Sequence, residues 1–282
     1  MEISLARTDL AEVFLLKHGG EPLNVVPRES VCTFRGVHFL EEHPFILGFG
    51  SREWLVEKGS AFLTEPGRLH HYSHVRGMPA DTVMSVRFHQ PLVDCMHAEL
   101  ADVPFERLES FIGLRNELRF LRWRWSRLPE QCRDLAVDEW VFDLIVATYR
   151  RASRRGSRAL RDRQLAWYAE RIDAAREQLV TRFAEPHPLL PLARSVGMSP
   201  FQFSRVFREL TGFAPHQYLL SARYRQAVRM LLDGASVTEA CFSSGFSNLG
   251  HFTRELKKRL GQRPSAVKTW PRSLPTKGYL RV

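Results

Sequence analysis

Arginine carries a planar fork of donors that matches the guanine edge, glutamine matches adenine, and lysine suits phosphate as a point charge. This chain offers such side chains twice at one spacing. The first set is Phe201, Gln202, Ser204, Arg205 and Arg208, interleaved with apolar Phe203, Val206, Phe207 and Leu210. The second set is Leu249, Gly250, His251, Arg254, Lys257 and Lys258, interleaved with Phe252, Leu256 and Leu260. Apolar residues at three- and four-residue steps mark one buried helix face, which leaves the polar sets on the other. A helix presenting Arg and Gln from its first two turns can read base edges in the major groove. Arg205 and Arg254, equivalent in the two sets, are the leading base readers; Lys257 and Lys258 suit phosphates.

The elements that must position these residues are also doubled. Leu189–Pro215 and Val237–Pro264 each read as a short helix, a glycine turn and a second helix, with the two units at 189–210 and 237–260. Leu192-Ala193 stands four residues before Gly197, as Ala240-Cys241 stands before Gly245. Gly212 and Pro215 correspond to Gly261 and Pro264. The offset is 48 residues before each turn and 49 after it, which predicts one extra residue near the start of the second reading helix. Ser199 followed by Pro200 is a strong helix start, and Ser247 or Asn248 caps the second. The first reading helix is expected to pack on Leu189, Leu192, Ala193 and Val196. Between the units, Tyr218, Leu219, Ala222, Ala227, Met230 and Leu231 predict one long helix over 215–233, packed against both. For successive major grooves the reading helices should stand ~34 Å apart.

Charge divides the 282 residues sharply. The net is −6 over 1–149, +5 over 150–160 and +11 over 161–282. A basic C-terminal part behind an acidic N-terminal part implies that one half meets a polyanion. No apolar run reaches the ~18 residues of a membrane span, and no secretion signal is read at the N-terminus. Cys32, Cys95, Cys132 and Cys241 are scattered and form no CxxC pair, which argues for a reducing, cytoplasmic setting. A Walker loop, a GxSxG elbow and a dinucleotide fingerprint are all missing.

The N-terminal half reads as α+β. Strands are expected at Val31–Phe34, Phe45–Phe49, Trp54–Glu57, Ala61–Thr64 and Thr82–Phe88, punctuated by glycine turns in the manner of a small sandwich or barrel. Residues ~91–153 read as helical, most clearly Leu135–Arg151, where Leu135, Val137, Val141, Leu144, Ile145 and Thr148 recur at three- and four-residue steps, a face for the internal core or for a second subunit. Arg119–Arg127 alternates basic and aromatic residues and reads as an amphipathic surface or an interface. Ser153–Ser157 marks a linker, placed at 153–162. Helix resumes from about Arg161 to Phe183 and stops at Glu185–Pro188.

These residues resemble the AraC/XylS family of bacterial transcription regulators. The likeness rests on Leu192-Ala193, Gly197-Met-Ser-Pro200, Phe203-Ser-Arg205-Val-Phe207, Gly212, Pro215, Tyr218-Leu219, Arg223 and Ala227. Gly245-Phe246, Phe252, Lys257 and Gly261-x-x-Pro264 add to it. It covers about residues 163–270 and implies an all-helical DNA-binding domain (163–282) whose two units grip one face of the duplex. It places base reading at Phe201, Ser204, Arg205, Leu249, Gly250 and Arg254. The chain departs from the pattern at Ala240-Cys241 and Leu256, and Leu249 and Gly250 are poor hydrogen-bonders, so the second unit is expected to add affinity and shape readout. More weakly, residues 1–152 resemble the cupin-like β-barrel sensor and dimerisation domains of that family. Gly67, His70 and His74 match one cupin ligand cluster, while His38, Glu41, Glu42 and His43 are a poor second. No metal or other cofactor is expected; His38, His70 and His74 are expected instead to satisfy turn backbone or to line an organic-ligand pocket.

Together these readings imply a sequence-specific regulator with no enzymatic activity. The expected partners are double-stranded promoter DNA, a small-molecule effector, a second copy of the chain and, for an activator, RNA polymerase. A metal-dependent cupin enzyme with a basic DNA-binding appendix is the alternative. A DNA-repair fusion with a reactive cysteine, and a Cys32/His70/His74 metal or redox sensor, rank below it.

Overall fold

The computed structural model describes residues 1–18, 27–90, 92–93, 110–113, 115–128, 133–149, 159–261 and 263–269. They form two compact units, one drawn from residues 1–93 and 103–159 and the other from residues 160–282. The expected linker at Ser153–Ser157 lies outside the described residues, as do Cys95 and Cys132.

In the first unit, β1 (Glu2–Arg7), β2 (Ala11–Lys17), β4 (Gly36–Glu42), β7 (Ala61–Thr64), β9 (Thr82–Phe88) and β10 (Phe111–Ile112) form a sheet ordered β1-β2-β9-β4-β7-β10. A second sheet is ordered β3-β8-β5-β6, from β3 (Arg28–Val31), β8 (Leu69–His74), β5 (Phe45–Phe49) and β6 (Arg52–Val56). Every strand pairing is antiparallel. Register sets Phe14 opposite Ser85, Ser85 opposite His38, and His38 opposite Phe62. That line faces the second sheet, where Phe62 joins Phe45, Leu47, Phe49 and Val56 in one apolar cluster. The alternate residues turn the other way, toward α1 (Asn116–Trp125) and α2 (Arg133–Tyr149). Phe39 meets Trp140 there at 6.4 Å, and the Trp140 indole donates to the Leu121 carbonyl at 2.7 Å. A sheet covered on both faces explains why β4 and β9 are almost continuously buried.

Three expected strands, β5, β7 and β9, stand as read. Val31–Phe34 does not: the chain pairs over Arg28–Val31 in the second sheet, leaves it, and enters the first sheet at Gly36. Trp54–Glu57 is met by β6, which runs over Arg52–Val56, and β1, β2, β4 and β8 lay unread. The β1–β2 turn uses Thr8, whose hydroxyl accepts the Leu10 N–H, in place of glycine or proline, and β8 is histidine-rich. Phe111–Ile112, expected as helix, is a strand paired with Phe62 and Ala61. The Arg119–Arg127 stretch turns partly inward. Arg124 is buried with Asp143 at 2.6 Å, Arg122 pairs with Glu41 of β4, and the Arg127 guanidinium covers the Trp123 ring.

The second unit is helical: α3 (Asp162–Thr181), α4 (Leu189–Ser195), α5 (Pro200–Thr211), α6 (Pro215–Leu232), α7 (Val237–Ser243), α8 (Leu249–Leu260) and a 3-10 turn at Pro264–Thr269. Helix ends follow the capping residues. Ser199, Ser236 and Asn248 accept N–H groups three residues on, and Gly212 and Gly261 close α5 and α8 with left-handed backbone. Asn248, not Ser247, is therefore the second cap. It stands 49 residues after Ser199, while Gly245 stands 48 after Gly197. The extra residue thus lies in the turn, before the cap, and both reading helices run 12 residues.

Two predictions arise from this packing. Gly197 and Gly245 are equivalent left-handed turn residues, but an added Cβ meets nothing at Gly197 and meets the Ala184 carbonyl oxygen at 2.6 Å at Gly245. Gly197→Ala should cost about 1–2 kcal/mol from backbone strain alone, and Gly245→Ala about 1–3 kcal/mol more, read by urea unfolding of the helical unit. The second concerns His38, whose ring nitrogens bond Ser85 Oγ and Thr64 Oγ1, both at 2.9 Å, and whose ring stacks on Phe62. Burial drives its pKa down to about 3. The unfolded chain, with an ordinary histidine, binds more protons below pH ~6.5, so this stability is complete above that pH and lost as pH falls toward 3. Between pH 6 and 4 the unfolding free energy should fall by about 1.4 kcal/mol per unit more in the parent than in His38→Gln. Parallel slopes would refute it.

Candidate nucleic-acid interface

The first helix-turn-helix owes its shape to a sharp division of α5. Phe203, Val206, Phe207 and Leu210 are buried together with Leu192, Ala193 and Val196. Leu189, expected in that contact, is 43% exposed and instead lines the mouth of a cavity of about 350 Å³. On the opposite side Phe201, Arg205 and Arg208 are exposed at steps of four and three, one continuous stripe along the helix. Ser204 and Gln202 flank it. Ser204 lines the cavity with Leu179, Leu192, Pro215 and Leu219, and the Gln202 amide donates to the Tyr168 hydroxyl at 3.3 Å. The stripe can contact a groove directly; the flanking residues are half-buried and engaged by the unit itself.

α8 repeats the division. Phe252, Leu256 and Leu260 are buried, with Ala240 and Cys241 of α7 beneath them. Gly250, Arg254 and Lys257 form the stripe equivalent to Phe201, Arg205 and Arg208, and His251 and Lys258 are exposed beside it. Leu249 is half-buried, at the position that Pro200 occupies in α5. Both helices thus present a cation at the second and third positions of the stripe. Only the first position differs.

What holds the stripes in place is mostly α6. Tyr218 packs edge-on against Phe207 at 5.6 Å, on the first unit's core. Tyr224, under two turns later, meets Phe246 at 4.7 Å and Phe252 at 6.3 Å in the second, and the Arg259 guanidinium covers its other side. A further tie was not read from the sequence. Arg223 donates from Nε to the Phe183 carbonyl at 2.7 Å and from its terminal nitrogen to the Glu185 carbonyl at 2.9 Å. Those residues follow α3, and Ala184 between them lies against Gly245. The segment that stops α3 is therefore clamped between the central helix and the second turn. Arg223 stood in the sequence only as one residue of the family likeness, on a helix that also carries Arg225 and Arg229.

In the N-terminal unit, His38, His70 and His74 do not converge on one point. His38 spends both ring nitrogens on Ser85 and Thr64. His70 Nδ1 meets Cys32 Sγ at 3.3 Å. Burial pushes the Cys32 thiol up and the His70 imidazole down, so the pair favours thiol and neutral ring over the thiolate that a reactive cysteine needs. His74 Nε2 lies 3.0 Å from Asp81 Oδ1 without hydrogen-bond alignment, and His18 Nδ1 bonds Asp81 Oδ2 at 2.7 Å. Cys32, His70 and His74 therefore form a pair and a separate carboxylate cluster. Among the described residues no three His, Cys, Asp or Glu side chains group as a metal would require. Cys241 is buried beneath α8, and burial raises its thiol. No helix of the described residues is long and apolar enough to cross a membrane.

Residues 192–269 match a helix-turn-helix domain family. The chain is 29% identical over 133 residues to the HTH-type transcriptional regulator GlxA of Rhizobium meliloti, covering 47% of this chain and 40% of the relative. It is 45% identical over 64 residues to the regulatory protein PchR of Pseudomonas aeruginosa, covering 23% and 22%. The matches thus span less than half the length of these curated relatives. Among solved structures, a probable AraC family transcriptional regulator from Rhodopseudomonas palustris is similar at 29% identity, covering 35% of this chain and 94% of that one, with a TM-score of 0.33. Residues 192–269 thus carry a helix-turn-helix domain, and the curated relatives that share this region are regulatory proteins.

Proposed function

We propose that this chain is a sequence-specific transcription regulator whose helical unit binds double-stranded promoter DNA and whose N-terminal unit senses a small molecule or mediates dimerisation. The observation that carries the reading is the pair of equivalent exposed stripes, Phe201/Arg205/Arg208 and Gly250/Arg254/Lys257, on a part of the chain with net charge +11. Arg205 and Arg254 read base edges; Arg208, His251, Lys257 and Lys258 hold phosphates and fix the register. Ser204, Gln202 and Leu249 act from the flanks, by shaping the helix start and its approach. The regulator names of the relatives support the reading.

The N-terminal unit, about residues 1–152, is the site of control, with the reading units at 189–210 and 237–260. An effector or a second copy alters DNA occupancy by preferring one arrangement of the protein over another. The family likeness favours activation, with RNA polymerase as the further partner. The chain has no catalytic role in this reading. The metal-dependent enzyme alternative is not favoured, since His38 bonds Ser85 and Thr64 and His70 meets Cys32.

A salt series of binding to the DNA upstream of its own gene, against scrambled DNA of equal length, tests this. The expected outcome is a preference of at least ~10³ for the upstream DNA. Arg205→Ala or Arg254→Ala should each weaken specific binding by roughly 5- to 150-fold and relax preference at one base pair. Lys257→Ala should weaken binding to all sequences alike and lower the salt slope by about 1. Equal binding to both DNAs that vanishes with salt would contradict the proposal.

A further inference from the structure

Four helices of the second unit leave a cleft of about 350 Å³ where they meet. It is lined by Leu179 of α3, Leu192 of α4 and Leu219 of α6, each at most 5% exposed. The fourth helix contributes Ser204, which stands between Phe203 and Arg205 on the first reading helix. Leu189 stands half-exposed at the mouth. Packed protein leaves few voids larger than a water molecule, and an apolar cavity of about 150 Å³ already holds benzene. Small-molecule pockets begin at about 300 Å³. Three buried leucines thus border a space of ligand size that the chain does not fill with its own side chains.

The polar groups of the cleft select what can enter it. His187 is half-buried, and its Nε2 lies 2.8 Å from the Arg182 carbonyl oxygen. A carbonyl oxygen only accepts, so Nε2 carries the proton and, in the neutral ring, Nδ1 is left as an acceptor. The half-buried Ser204 hydroxyl can donate as well as accept. His216 is exposed, and among the described residues no Lys, Arg, Asp or Glu lines the cleft. An anionic ligand would shed its hydration there with no fixed cation to replace it. A rigid ring fills such a space without the rotamer cost of an alkyl chain. A phenol also keeps its proton at neutral pH. We propose that this cleft binds a small neutral aromatic alcohol of the phenol class. The ring fills the leucine-lined space, the ligand hydroxyl donates to His187 Nδ1, and the Ser204 hydroxyl donates to the ligand oxygen. The ligand touches α5 beside the exposed stripe rather than on it. The site lies wholly within the helical unit, apart from any effector of the N-terminal unit, and does not depend on the promoter-binding reading.

The test uses the full chain, with phenol, toluene and benzoate as probes in ligand-observed NMR titrations. Phenol should saturate its site with a Kd of roughly 0.1–1 mM, within reach of a ligand of its size. Benzoate should bind at least about tenfold more weakly, because its charge stays unpaired. Leu189→Trp fills the mouth from an exposed position, where folding is not at risk, and should weaken phenol and toluene alike by at least about tenfold. Ser204→Ala and His187→Phe each remove one polar partner and keep the apolar wall. Each should weaken phenol by roughly three- to tenfold, the worth of one hydrogen bond, and change toluene by less than about twofold. Absence of saturable phenol binding, or binding undiminished in Leu189→Trp, would overturn the site. Equal losses of phenol and toluene in both polar variants, or benzoate binding as tightly as phenol, would overturn the class of ligand.

Discussion

The helical unit depends on one element, the 18-residue helix Pro215–Leu232, being shared by two cores. Tyr218 belongs to the first core and Tyr224 to the second, and Ala227, Val228 and Leu231 continue the buried face beyond them. A helix is stiff over this length, and packed cores do not deform continuously. The two reading helices are therefore held by one rod rather than by a flexible tether. The clamp of Arg223 on the Phe183 and Glu185 carbonyls, with Ala184 against Gly245, adds a second connection at the opposite side of α3. Phe183–Glu185, where the sequence showed only the end of a helix, become part of the frame.

Given such a frame, recognition follows from what each reading helix leaves outside. Both keep a fully buried apolar face, so the exposed stripe cannot rotate without opening the core. That fixation sets the backbone positions from which the arginines extend, and a preorganised frame loses less entropy on binding. The flanking residues serve the same end. Gln202 on Tyr168 and Asn248 on the His251 N–H hold the first turns of the two helices. Exposure of Phe201 is the exception to the economy of this surface, and it is the feature that fold stability explains least.

The helical unit was almost wholly legible because its signals are local. Caps, turn glycines and a 3.6-residue apolar period lie within a few residues of one another, and their repetition at an offset of 48 to 49 cross-checks each. The misplaced extra residue shows where locality ends: Ser247 and Asn248 are both capping residues, and only the Asn248 bond to the His251 N–H decides between them. The N-terminal unit was legible in class but not in detail. Its strands are short, and β1, β2, β4 and β8 are fixed by pairing with partners up to 77 residues away, as Ala11 is with Phe88. The histidines show the same limit. Their spacing suggested a shared pocket, yet His38 is consumed by Ser85 and Thr64, which come from two other strands. Likewise, Arg124 found Asp143 in a helix that composition alone could not place beside it.

The central claim is that α6 makes the two helix-turn-helix units one rigid reader. The measurement that tests it most directly is affinity as a function of the spacing between the two half-sites of the bound DNA. If the units are locked, inserting five base pairs, about half a turn, carries one reading helix to the wrong face of the duplex. Affinity should then drop by roughly 100-fold, the worth of one helix's base and phosphate contacts. Affinity that holds constant as the spacing changes would mean that the two units bind independently, and would contradict the account.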